Sequence, residues 1–265
     1  MDLYLKDKHV VIAGGSSGIG FACALEYLKE GSKVSIISRN DKLLLESYSL
    51  LIEKVPKAAG KLFTYKCDVT DAVEVDKTID LIEESIGAID VLVNSFGTSP
   101  RHHAFNTTAE DWRGSMHTKY FPYMNMIVSV LNKMKQRGHG SIVSVAGTGG
   151  KVPILHAIPR GVSSSAIMLA TVGLAAEFGK FGIRLNVVNS DAVLNGNHLR
   201  HLPLKERIES ITLETAASMA TAKMPFGRAA LASEIADAIV FVSSPRASYI
   251  SGAVLTVDGA ANPLI

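Results

Sequence analysis

Along the chain, short runs of apolar and β-branched residues alternate with longer stretches in which apolar residues recur every three or four positions. The short runs at 9–13, 33–38, 61–66, 89–93, 141–145, 183–189 and 253–257 predict strands. The stretches near 18–30, 41–55, 71–86, 108–137, 163–180 and 232–243 have the helical period and predict the helices between them. Strands such as Val10-Val11-Ile12-Ala13 are apolar at consecutive positions, so both of their faces must be covered. Helices that join such strands return across one face or the other of a parallel sheet. The expected fold is α/β of the Rossmann type, a doubly wound parallel sheet with helices on both faces.

No linker, internal repeat or shift in composition divides the chain, which predicts a single domain over 1–265. The least regular stretch, about 191–221, is polar and becomes helical near its end. Lying between two predicted strands, it belongs above the carboxyl edge of the sheet, where ligands bind, and is a candidate substrate lid.

Composition narrows the function by exclusion. The 27 basic and 25 acidic residues leave a net charge of +2 without long single-sign blocks, which argues against nucleic acid or a membrane surface as partner. Hydrophobic residues make up 47% of the chain, enough for a large core. The two cysteines, Cys23 and Cys67, form no ligand cluster, so neither a disulfide framework nor a metal site is expected. The apolar stretch at 10–13 is too brief for a signal segment or membrane span, and a cytoplasmic setting is expected.

The strongest motif is Ala13-Gly14-Gly15-Ser16-Ser17-Gly18-Ile19-Gly20, directly after the first predicted strand and leading into the first helix. Glycines permit a tight turn and close backbone approach, and the open N–H groups of the helix start attract a pyrophosphate. Candidate cofactor contacts here are Gly14, Ser16, Ser17, Gly18, Ile19 and Gly20. The second strand ends in Ser38-Arg39-Asn40, where an acidic residue would suit the ribose hydroxyl of NAD and where Arg39 suits the 2′-phosphate of NADP. NADP(H) is therefore favoured over NAD(H), the alternative being that Arg39 is only a solvated loop residue.

The spacing Gly-x-x-x-Gly-x-Gly resembles that of the short-chain dehydrogenase/reductase family, and the resemblance runs along nearly the whole chain. Cys67-Asp68-Val69-Thr70, Val93-Asn94-Ser95-Phe96-Gly97, Arg184-Leu185-Asn186-Val187-Val188, Ser251-Gly252 and Val257-Asp258-Gly259 are similar to its later motifs. The resemblance implies that Asp68 and Val69 hold the adenine, that Asn94 and Gly97 steady the central sheet beside the cofactor, and that Val193 is a further cofactor contact. It also implies a homotetramer built on the surfaces of the fourth and fifth helices and the last strand.

Family members usually act through Asn, Ser, Tyr and Lys. Counting along this chain sets Lys119 at the asparagine position, Gly147 at the serine, Arg160 at the tyrosine and Ser164 at the lysine. Lys119, Thr148, His156, Arg160 and Ser164 are the candidate catalytic residues. Ser163, Ser164 and Ser165 also read as an N-terminal cap for the fifth helix, while Trp112 and the methionines 116, 124 and 126 read as packing or interface residues. Two cations at normally neutral positions favour an anionic small-molecule substrate. The expected function is NADP-dependent hydride transfer to or from a carbonyl or alcohol, with altered proton transfer. A catalytically silent NADP-binding regulator or scaffold, or a nonredox enzyme on the same fold, remains the alternative.

Overall fold

In the computed structural model, which describes residues 1–97, 103–194, 203–219 and 221–263, the expected strands appear as β1 (His9–Ala13), β2 (Lys33–Ser38), β3 (Leu62–Lys66), β4 (Val91–Asn94), β5 (Gly140–Gly147) and β6 (Ile183–Ser190). Two short strands follow, β7 (Val193–Leu194) and β8 (Ala230–Leu231), and then β9 (Val254–Val257). Seven of them form one parallel sheet in the order β3-β2-β1-β4-β5-β6-β9, while β7 and β8 pair with each other. The strand order reverses between β1 and β4, which opens a crevice at their carboxyl ends.

The helices are α1 (Gly18–Lys29), α2 (Asp41–Lys54), α3 (Ala72–Ile86), α4 (Ala109–Ser115), α5 (Phe121–Arg137), α6 (Ile158–Phe178), α7 (Leu204–Glu209), α8 (Leu213–Ser218) and α9 (Ala232–Ser243). Alternation along the strands divides the core. Val10, Ile12, Val34 and Ile36 join the side covered by α1, α2 and α9, whereas Val11, Ala13, Leu92 and Ile142 join the side covered by α3 and α5. Each fully buried valine, leucine or isoleucine among them contributes about 1.5–3 kcal/mol, so consecutive apolar positions stabilise both layers at once. Arg184 on β6 donates to the carbonyls of Val242, Ser243, Ser244 and Ile250, which ties the end of α9 to the sheet.

Two helices differ from expectation, and both differences shape the site. The stretch expected as one helix over 108–137 is α4 and α5 joined by a wider π turn, Met116–Tyr120. Pro122 has no N–H to complete the ordinary ladder just there, and a wide turn accommodates that gap. Helix α6 begins at Ile158 rather than 163, because Pro159 sits in the first turn, where its missing N–H costs nothing. Ser163 and Ser164 are therefore not caps. Their hydroxyls donate back to the carbonyls of Pro159 and Arg160, one turn earlier.

By length and hydropathy, Ile158–Phe181 would suffice to cross a membrane, but here it lies on the sheet with Ile167, Met168, Thr171 and Ala175 buried. Its outer face leaves Val162, Leu169 and Val172 exposed. Of the stretch 191–221, the structure describes β7, α7 and α8, and residues 195–202 and 220 lie outside the described residues, as do 264 and 265 at the tail.

Candidate active site

The crevice beside β1 is lined by the glycine turn. Gly14 has φ +81° and Gly18 φ +57°, the left-handed region that glycine adopts without strain. A Cβ on Gly14 would fall 2.3 Å from the Ser95 carbonyl oxygen, and one on Gly20 only 2.1 Å from the Gly14 carbonyl oxygen. Backbone thus approaches backbone where any side chain would hold it apart. At the start of α1, Ser17 makes no side-chain cap and the first turn has no acidic residue, among the described residues. Helices α2 and α3 instead have Asn40 and Asp71 as caps and acids in their first turns. The start of α1 is left open to an anion, as a dinucleotide pyrophosphate requires. Buried Ser16 is held by Ser47, whose hydroxyl donates to its carbonyl at 3.2 Å, and Ile19 packs against the core.

At the far end of the crevice, exposed Arg39 lies 3.9 Å from the Asp68 carboxylate. Asp68 accepts from the Thr70 N–H at 3.0 Å and the Thr70 hydroxyl at 2.8 Å. Partial burial opposes its charge, but those hydrogen bonds and Arg39 outweigh it and hold the carboxyl below its usual range. Asn40 caps α2 by accepting from the Leu43 N–H at 3.0 Å, and its N–H lies 3.4 Å from the Ser38 hydroxyl. The Val69 carbonyl accepts from Asn125 at 3.0 Å. Asn94 at the end of β4 is fully buried beside its register partner Ser144, and neither side chain has a hydrogen-bond partner among the described residues. Gly97, φ +92°, passes so close to Thr118 and Lys119 that a Cβ would press on both.

The π turn carries Lys119 inward. Its side chain is buried, and Nζ donates to the Ser164 hydroxyl at 2.7 Å across the gap between α5 and α6. Ser164 in turn donates to the Arg160 carbonyl at 3.1 Å. Burial, and secondarily the Arg160 guanidinium, push Lys119 down to about 7. An amine poised there is populated in both protonation states near neutrality, which suits proton transfer. Tyr123, one turn further along α5, points its hydroxyl at the carbonyls of Val145, 2.8 Å, and Phe96, 3.0 Å, and ties together the ends of β5 and β4.

Residues 13–262 match the family model described as "Enoyl-(Acyl carrier protein) reductase". The chain is 30% identical to 3alpha-hydroxysteroid dehydrogenase of Mediterraneibacter gnavus, over 98% of this chain and 99% of that one. It is 32% identical to (+)-borneol dehydrogenase 2 of Salvia officinalis, over 98% and 90%. The protein belongs to the short-chain dehydrogenase/reductase family. Among solved structures of the family, an NADPH-bound short-chain oxidoreductase from Pseudomonas aeruginosa PAO1 "containing an atypical catalytic center" superposes with TM-score 0.87 at 28% identity, covering 97% of this chain and 98% of that one. As a short-chain dehydrogenase/reductase, the protein is an oxidoreductase of the nicotinamide-dependent class.

Against this family background, the structure brings together three of the five candidate catalytic side chains, Lys119, Ser164 and Arg160. Thr148 is buried in the turn Thr148–Gly150, where its carbonyl accepts from the N–H groups of Lys151 and Val152. His156 lies on an exposed loop, its ring 6.4 Å from that of His103. Val193 lies half-buried in β7 against the core beneath α9. Sequence reasoning missed Tyr123, although its place four residues after Lys119 puts both on one helix face. It also missed the shape around Gly147, which depends on contacts distant in sequence.

Proposed function

We propose that the protein is an NADP(H)-dependent oxidoreductase that exchanges hydride with a carbonyl or alcohol substrate bearing an anionic group, with Lys119 as the proton carrier. The observation that carries this reading is the buried Lys119–Ser164 contact at 2.7 Å, with Lys119 held near 7 beside Arg160. In this reading Gly147, Arg160 and Ser164 stand where the family's usual serine, tyrosine and lysine are expected, so the ordinary proton route is replaced.

The nicotinamide, when bound, supplies or accepts the hydride. Lys119 as ammonium donates its proton toward the developing alkoxide, or as free amine takes it back when an alcohol is oxidised. Ser164 fixes the direction of that amine by accepting from it while its own proton is committed to the Arg160 carbonyl. Arg160 offers a planar fork to a carboxylate or phosphate of the substrate. Arg39 turns from its long contact with Asp68 to the cofactor's 2′-phosphate, a reading that the Pseudomonas relative solved with NADPH supports. The stretch 191–221, with α7 and α8, acts as the lid.

Single-turnover oxidation of NADPH by wild type and Lys119→Met, against a panel of neutral and acidic carbonyl compounds, tests the proposal. Turnover is expected with acidic carbonyls and slow hydride transfer in the variant. NADPH binding without turnover of any carbonyl would instead identify a nucleotide-binding regulator.

A further inference from the structure

Several glycines at the carboxyl end of β5 are dictated by packing. A Cβ on Gly150 would stand 2.8 Å from the Ser164 Cβ, and one on Gly161 would stand 2.4 Å from the Gly149 carbonyl oxygen. Gly147 is different. Its backbone is ordinary extended strand, φ −110° and ψ 148°, which any residue adopts. Among the described residues, a Cβ built on it meets only two atoms within 4 Å beyond its chain neighbours, the Ser164 hydroxyl oxygen and the Ser190 carbonyl oxygen, each at 3.9 Å. Neither conformation nor crowding requires glycine at this position, and a glycine inside a strand is otherwise unfavourable.

What the missing side chain leaves is a hollow bounded by two acceptors. The Ser164 hydroxyl spends its proton on the Arg160 carbonyl and one lone pair on Lys119 Nζ, so a second lone pair remains. The Ser190 carbonyl, in register with Gly147 across β5 and β6, supplies the other acceptor. The chemistry that completes the hollow is a hydrogen-bond donor about the size of a hydroxyl, and it lies within a side chain's reach of the Lys119 amine.

We propose that the hollow at Gly147 is a subsite for a hydroxyl group that the substrate carries next to its reacting carbonyl, its one proton donated to either the Ser164 hydroxyl oxygen or the Ser190 carbonyl. The substrate class is then the α-hydroxy carbonyl compounds and, in the reverse direction, vicinal diols. This inference deepens the reading of the site as a carbonyl reductase centre and rests on it. A bound water is the other source of the same donor, and the two sources differ in what they predict.

The test compares matched pairs with NADPH: hydroxypyruvate against pyruvate, and 3-hydroxybutan-2-one against butan-2-one, in wild type, Gly147→Ala and Gly147→Ser. In wild type the hydroxylated member should lead by about tenfold in kcat/KM, the value of one net hydrogen bond. Gly147→Ala puts a methyl in the hollow and should bring the ratio near one. Gly147→Ser supplies the donor from the protein and should raise the member that lacks a hydroxyl. Calorimetric binding of glycerate and lactate to the NADPH complex gives a readout without turnover, with glycerate about tenfold tighter in wild type and equal to lactate in Gly147→Ala. A wild-type ratio near one, with both members weakened alike by Gly147→Ala, would assign the hollow to water and overturn the substrate subsite. A preference that persists in Gly147→Ala would overturn it as well. Selective glycerate binding without turnover of any carbonyl would leave the subsite standing and remove the reductase reading, whereas turnover without preference would do the reverse.

Discussion

Lys119 owes its proposed role to a single physical fact, that an ammonium costs more to bury than an amine. Removal from water and the neighbouring guanidinium bring it to about 7, where proton donation and acceptance are both accessible. Reduction needs the ammonium, so its rate should fall as pH rises through about 7, and alcohol oxidation should rise over the same interval. Lys119→Met should lower the rate on the order of 10²–10⁴-fold and erase that inflection, which pH–rate profiles in both directions would read. A wild-type inflection that survives the substitution would assign the titration to another group. At the opposite end of the crevice, Arg39 is mostly exposed and only loosely paired, so its removal costs the fold little. Arg39→Ala should weaken NADPH binding about tenfold or more and leave NADH nearly unchanged, as measured by fluorescence titration. Equal losses for both cofactors would rule out a contact with the 2′-phosphate.

At the scale of elements, the cradle depends on how closely α1 approaches the turn before it. Gly20 lies in the first turn of α1, where alanine ordinarily gains about 1 kcal/mol over glycine. Here the added Cβ would meet the Gly14 carbonyl oxygen at 2.1 Å, and the obstacle is backbone that has no rotamer to yield. Overpacking of this kind costs about 1–3 kcal/mol, so the clash should win. Gly20→Ala should lower the urea midpoint and abolish cofactor binding together. A variant that is stabilised and still binds NADPH would show that helix propensity dominates. The π turn makes a related point, since it is the element from which buried Lys119 reaches Ser164.

Across the whole molecule, the same lysine leaves a mark on stability. Its folded-state pKa of about 7 lies below the value of about 10.4 expected in the unfolded chain, so between these limits the unfolded state holds more protons. Stability should therefore rise with pH over that window. Denaturant unfolding at pH 7 and pH 9 should show wild type more stable at the higher pH. Lys119→Met should lack that gain and be the more stable protein at pH 7, by on the order of a few kcal/mol. The outer face of α6 leads to a proposal about assembly. Val162, Leu169 and Val172 there, with Phe121 and Val128 on α5 and Leu255 on β9, are exposed apolar residues that a symmetric assembly would cover. A homotetramer is expected in solution, and Leu169→Glu should reduce its mass in light scattering. A wild-type protein that is monomeric at micromolar concentration would contradict it.

The sequence by itself determined the layered sheet and the glycine cradle, because both are written in local periods. Two-sided strands, helical spacing and a glycine turn between β1 and α1 need no distant contact to be recognised. Helix ends were harder to read. Pro159 looks like a breaker until its position in the first turn is known, and Pro122 marks a missing N–H without deciding whether the helix before it breaks or widens. Only the tertiary structure decided that Lys119 meets Ser164, 45 residues away, and that His156 faces His103 instead. It also decided that Gly147 leaves a hollow where Gly150 and Gly161 leave none. Burial, proton affinity and empty space are properties of what surrounds a residue, and those surroundings come from chain segments that only the fold brings together.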